Sequence, residues 1–487
     1  MKHWMILLGM SLCVMQGHAQ NNKKDPLADF RKAVYDDFQS FRKQIYEEFA
    51  DFVANPWVAF KETKPIPLPK EEPKPPVTIP EKDKEKPVED KPIVINEVVK
   101  PIPVVPQPSP IEPIKEVPVK EEKYVDFTFF GTSAKVRFDI ANKIQLKGIT
   151  ERDVSLALKK IDAKQYDNML LDCLALRDSL QLSDWAYIQM LKSLAYQIEG
   201  KKTNEAALLL AYLYMQSGYK MRLASDGTHL YMLYGSKHQI FEEASYSVDG
   251  ELYYGIEKLP TTLMICKAAF PKERSMSLLI NTNQKFKEDR STPRQINSFC
   301  YPDFKAQVSV NKNLMEFYQT YPTSMLDGNM MTRWAMYANT PMEEGVKAQL
   351  YPQLKDKLKG MSQLNAVSKI LNWVQTGFEY EYDDKVWGGD RAFFAEETLF
   401  YPYCDCEDRA ILLTRLVRDL LDLKCILVFY PGHLASAIEF TEADVKGDYI
   451  RYDGHKYVIA DGTYINAPVG RTMPSMDNET AKVILLK

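Results

Sequence analysis

Residues 29–60, DFRKAVYDDFQSFRKQIYEEFADFVANPWVAF, place Phe30, Val34, Phe38, Phe41, Ile45, Phe49 and Phe52 at steps of four and three. That spacing draws one apolar stripe down a helix, and the N-terminal element is set at 20–62. Between 150 and 218 the helical period returns in four segments. Tyr187, Leu191, Leu194 and Ile198 share one face there, and Gly218 ends the last segment. The period then shortens. KMRLASDGTHLYMLY and YSVDGELYY each flank an Asp-Gly pair with β-forming residues, the pattern of a hairpin. Residues 123–305 therefore read as an α+β accessory domain, and no repeat of fixed period is evident along the chain.

Between these patterned regions, residues 63–122 carry 16 of the chain's 29 prolines, mixed with Lys and Glu. Such a composition offers no apolar face from which to build a core. Sixty residues of extended polyproline chain at about 3.1 Å each would reach on the order of 190 Å, so the segment reads as a semi-rigid, disordered linker. The last unit is 306–487. Its helical row Leu364, Val367, Leu371 and Val374 leads into the aromatic, acidic loop FEYEYDDKVWGGDRAFFAEETLFYPY.

Composition narrows the setting. The chain has 487 residues with 45% hydrophobic content, enough for a sizeable core and for more than one domain. A formal charge of −4, from 62 basic and 66 acidic groups, gives no field for nucleic acid. Residues 21–62 balance seven basic against eight acidic groups, so the N-terminal stripe points to a protein partner rather than to lipid. The start, MKHWMILLGMSLCVMQGHAQ, joins a short basic segment to an apolar run of about eleven residues. It reads as a signal peptide at 1–19 and is too short for a transmembrane segment, which implies an exported protein in the periplasm, at the cell surface or outside the cell.

Chemistry concentrates in YPYCDCEDRAILLTRLVRDLL, residues 401–421. Ala410, Leu413, Val417 and Leu420 form an inward row, and four residues before Ala410 stands Cys406. A thiol at that position meets the unpaired N–H groups and positive dipole of a helix start, which favour thiolate; Cys404 precedes the helix and gains less. Asp405, Glu407 and Asp408 oppose ionisation, so the thiolate needs an imidazolium beside it. No second Cys or His cluster supplies a metal site, and a disulfide across two residues would close a strained ring.

Two histidines lie downstream. DYIRYDGHKYVIAD reads as a hairpin, which sets His455 and Asp461 six residues apart on one arm, about 20 Å at strand rise. His433, opening the neighbouring strand, is placed to face both Cys406 and Asp461, which assembles nucleophile, base and orienting carboxylate.

At these residues the sequence resembles the transglutaminase-like superfamily of papain-like cysteine enzymes. CEDRA resembles its cysteine, acid, small-residue opening; GHLASAIEF matches its histidine strand; ADGTYINAPVG resembles its aspartate segment. The resemblance covers about 360–475. It implies Cys406 as nucleophile, His433 as base and Asp461 as orienter. The sequence departs from the family pattern at Cys404, often glycine, at Leu434 and Ala435, often small then aromatic, and at Gly462, commonly proline.

The expectation is thus an α+β protein with a papain-like, transglutaminase-like core at 306–487, needing neither cofactor nor metal. It attacks an amide of a protein or peptide through a thioester, most simply as a peptidase or amidase. Crosslinking by an amine acceptor and a non-catalytic envelope scaffold are the alternatives. The oxyanion falls to the Cys406 backbone N–H with Tyr403, Tyr401 or Gln375.

Overall fold

The computed structural model describes residues 28–487 apart from 70–72, 85, 112–113, 163–165 and 443; the signal segment expected at 1–19 lies outside the described residues. Helices and strands mix in an α+β arrangement. Among the described helices, none is long and apolar enough to cross a membrane.

The N-terminal helix, Ala28–Val53, packs on its own chain. It buries Arg42, Tyr46, Phe49, Ala50 and Val53, whereas Phe41 and Phe52 are 48% and 50% exposed. The buried face is thus turned about one residue from the stripe read in the sequence. Two polar ties fix the turn: Arg42 pairs with Asp167 at 2.5 Å, and Tyr46 donates to Leu158 O at 2.7 Å. Phe49 meets Phe270 edge-on. Of the stripe that the sequence offered to a partner, Phe49 is therefore covered within the chain while Phe41 and Phe52 stay half exposed.

Four helices, Glu151–Asp162, Tyr166–Ser179, Asp184–Glu199 and Asn204–Gln216, precede five of the six strands of an antiparallel sheet. Its order is Val58–Lys61, Thr262–Ile265, Met221–Ser225, Leu230–Ser236, Glu251–Gly255, Tyr246–Val248. The Asp249-Gly250 pair takes φ of 51° and 84°, the doubly left-handed turn that suits a two-residue hairpin. A further hairpin, Arg294–Asn297 with Lys305–Val308, straddles the boundary expected at 305/306. Trp373 in the helix Gln363–Thr376 donates to Ile296 O at 3.1 Å, which ties that hairpin to the last unit.

The C-terminal sheet has seven strands in the order Lys91–Pro92, Asp448–Tyr452, His455–Ala460, His433–Glu439, Cys425–Tyr430, Lys482–Leu485, Glu97–Val99. Both edge strands come from the proline-rich segment, each paired in parallel. Laid flat, six spacings of about 4.8 Å would part them by about 29 Å. The five residues from Pro92 to Glu97 span at most about 18 Å. The sheet is therefore curled, and this short stretch bridges its two margins.

The bridge carries Ile93 into a core of its own with Ile426, Val428, Ala437, Ile450, Ile459 and Val483 on one face of the sheet. On the other face, Leu427, Leu434, Ile438 and Val458 join the main core with Leu413, Leu416 and Val417 of the helix Cys406–Leu421. CILVFY is buried along its whole length for this reason. The expectation of a free spacer at 63–122 is corrected here. Its prolines build no core alone, but extended chain with alternating Val and Ile can add to a sheet edge that other residues supply.

Candidate active site

Cys406 is the first residue of its helix, after the N-cap Asp405. Asp408 holds that corner: one carboxylate oxygen accepts from Asp405 N at 3.2 Å, the other from Phe393 N at 2.8 Å. One turn on, Arg409 is buried and donates to Gln375 O at 3.1 Å, Phe378 O at 2.9 Å and Gly462 O at 3.3 Å. A β-carbon at Gly462 would stand 3.0 Å from Arg409 Cβ, tighter than ordinary packing, so glycine here lets the Asp461 loop close on the helix.

The Cys406 thiol is 3% exposed and donates to Glu407 Oε2 at 3.2 Å. Burial pushes its pKa well up, and the charges of Glu407 and Asp405 push it further; a hydrogen bond from the Leu434 backbone N–H acts the other way. The sulfur therefore rests as a neutral thiol. His433 stands in the strand beside it, its Nε2 2.9 Å from Asp461 Oδ2, both side chains closed to solvent. Nδ1 of the same ring is buried with no hydrogen-bond partner among the described residues. Cys406 and His433 line one cleft of about 740 Å³.

His455 is elsewhere. Its Nδ1 contacts Glu439 Oε1 at 2.5 Å, at the far end of the strand from Asp461. Cys404 does not line the cleft; it pairs with Tyr380 in a two-residue strand, and burial raises its thiol to about 11. All six described cysteines are free.

The three oxyanion candidates also sit apart. Gln375 spends its amide on the carbonyls of Asp461, Tyr464 and Ala467 at 2.9, 2.8 and 3.2 Å and accepts from Asn466 N at 3.1 Å, which makes it the clamp of the Asp461 loop. Tyr401 packs among Trp387, Phe393 and Phe400. Tyr403 is 37% exposed, and neither tyrosine lines the cleft. A donor that sequence patterning missed is Trp334, which lines the cleft, stacks on Phe429 and leaves its buried indole N–H unpaired among the described residues.

The cleft is strongly acidic. Glu242, Asp383, Asp384, Asp390, Asp405 and Glu407 line it, against Arg333, which pairs with Asp390. Burial, then the charge of Glu407, raises Asp383 to about 8. Asp383, Asp390 and Glu407 each bring a carboxylate oxygen within 4.8 Å of the others, a donor set of the kind a hard divalent cation takes. The run of acids in YDDKVWGGD was visible in the sequence; its approach to Glu407 was not. No protein-family model, curated protein or solved structure matches the chain.

Proposed function

We propose that the chain is a cysteine-dependent enzyme that attacks an amide of a protein or peptide, and that 306–487 is a papain-like core of transglutaminase-like type. The observation that carries this reading is the buried His433–Asp461 pair at 2.9 Å, its second ring nitrogen unpaired among the described residues, in a cleft that Cys406 also lines. Asp461 takes the Nε2–H, which leaves Nδ1 as the base.

The chemistry follows. Nδ1 removes the Cys406 proton as sulfur bonds to the amide carbon, and imidazolium then replaces Glu407 as the neighbour of the sulfur. The C–N bond breaks, the imidazolium proton goes to the leaving nitrogen, and a thioester remains. Water, deprotonated by Nδ1, attacks the thioester; the acid product leaves and the thiol is restored. Trp334 Nε1 and the N–H groups at the helix start are the donors available to the oxyanion.

Crosslinking is the second reading, and the cleft's charge favours it. With Asp383 and Asp405 held protonated by burial and Asp390 paired to Arg333, the carboxylates that remain would still gather a cationic amine, which can take the place of water. An exported location rests on residues 1–19 alone.

Intact-protein mass spectrometry after exposure to a mixed peptide library tests the proposal. A thioester adduct on the native protein, absent in Cys406→Ser, is expected. Its decay to acid in water, or to an isopeptide when an amine is supplied, separates the two readings. Failure of any adduct to form would leave the scaffold as the better account.

A further inference from the structure

Beside Cys406, one wall of the cleft is made by Leu68, Pro69 and Pro73 of the proline-rich segment. The described residues around this wall are tied down through their main chain. Upstream, Glu242 N donates to Ile66 O at 2.8 Å and Leu68 N donates to Glu242 Oε1 at 2.9 Å. Downstream, Lys74 N donates to the carbonyl of Gly432, the residue before His433, at 2.9 Å, while Tyr380 Oη donates to Lys74 O at 3.3 Å. Val77 and Thr78 then pair in parallel with Tyr464 and Ile465, three residues past Asp461, and Ile79 N donates to Ile465 O at 3.0 Å. Ile79 ends buried among Tyr464, Ala467 and Met473.

This track passes the neighbours of both His433 and Asp461. Its contacts are mostly backbone hydrogen bonds, the mode by which a groove takes an extended peptide with little regard for sequence. Pro65, Pro67, Pro69 and Pro73 hold the chain extended beforehand, so little entropy is lost on docking. The strand Val58–Lys61 and the sheet bridge at 91–99 anchor it at both ends, which gives it an effective concentration of about millimolar or more. In the cleft that it helps to wall, the nucleophile and base are almost closed to solvent.

We infer that residues 66–69 and 73–79 occupy, in cis, the groove through which an extended peptide substrate reaches Cys406, so that strap and substrate compete for the same main-chain partners. The inference rests on Cys406 being the nucleophile. It makes the strap an internal competitor that slows the intact chain without abolishing its reaction, and identifies the substrate class as unfolded or extended polypeptide rather than a folded helix or a free amino acid.

The test separates the groove from the chemistry. Lys74→Pro deletes the N–H that Gly432 accepts, in a Pro-Lys-Pro-Pro stretch whose backbone already suits proline, and Leu68→Asp sets a carboxylate against Glu242. In a Cys406→Ser background, Met330→Cys, on the cleft wall, reports access through methanethiosulfonate labelling read by peptide mass spectrometry. The two strap substitutions should speed that labelling at least tenfold with an unchanged thermal transition; an equal rate overturns the inference. If the double variant loses its transition, Lys74→Pro alone should give at least a threefold gain, and no gain is again a refutation. With Cys406 present, strap release should accelerate a peptidyl chloromethyl ketone more than iodoacetamide, because only the peptide needs the track; equal gains refute the shared groove. Faster labelling at position 330 with Cys406 inert to both reagents would keep the strap as a cover and sink the nucleophile instead.

Discussion

His433 Nε2 lies 2.9 Å from Asp461 Oδ2 while Cys406 donates its proton to Glu407, so the base is oriented before the thiol is engaged. Asp461→Asn would let the ring adopt the other tautomer and lose its basic Nδ1. Thioester formation should fall by about 10²- to 10⁴-fold, as should that of His433→Ala. His455→Ala, whose ring serves Glu439, should keep the native rate. Single-turnover mass spectrometry of the three variants, with circular dichroism as a folding control, decides it.

The two sulfurs of the 404–406 pair should part company. Cys406→Ser should abolish adduct formation, because serine keeps the shape but its hydroxyl is far less acidic than a thiol. Cys404→Ser should keep it, since that sulfur lies outside the cleft, 3.8 Å from Glu379 O. Inactivity of both variants would point to a joint role such as a metal clip, which zinc analysis would reveal.

Asp383 sets a pH dependence of stability. In the unfolded chain it releases its proton near the ordinary value of 3.8, whereas in the folded chain it holds it to about 8. Between those values the folded form binds more protons, so this group's stabilising contribution is full at low pH and is lost as pH rises toward 8. Melting temperature should therefore fall from pH 5 to pH 9, and Asp383→Asn, neutral throughout, should flatten the slope. A slope as steep in the variant as in the native protein would assign the effect to other groups.

Ile93 tests the sheet bridge. Ile93→Ala should destabilise the chain by about 2–4 kcal/mol through the lost burial and the cavity left among Ile426, Ile450 and Ile459. Val94→Ala, on an exposed neighbour, should cost about 0.5 kcal/mol or less. Urea denaturation of both would show whether the segment is structural; matching midpoints would return it to the role of a spacer.

Local pattern made the helix beginning at Cys406, the hairpin turning at Asp249-Gly250 and the strand opened by His433 legible, because helical and strand periods are written within a few residues. The path of residues 63–99 was not. Its partners stand near Glu242 and in the last third of the chain, and parallel pairing at a sheet edge leaves no period of its own. The rotation of the first helix depended on Asp167 and Leu158, remote contacts that outweighed the phenylalanine stripe. Trp334 and Arg333 escaped notice for a similar reason, since nothing in the helix Thr332–Asn339 marks them as neighbours of Cys406. Gln375 looked like a spare donor, and only its saturation by three carbonyls shows otherwise.

Asp90 meets Gly447 across 357 residues of sequence. A chain made from its N-terminus must therefore carry residues 91–99 unpaired until nearly the whole polypeptide exists. In refolding, until residues 91–99 dock, the margins at Asp448–Tyr452 and Lys482–Leu485 lie open, and each is a template for a strand from another molecule. Refolding should be slow in proportion to that separation and yield should drop as protein concentration rises. A separately supplied peptide of residues 88–100 should then rescue yield in a chain whose own copy is mutated, by sealing the margins in trans.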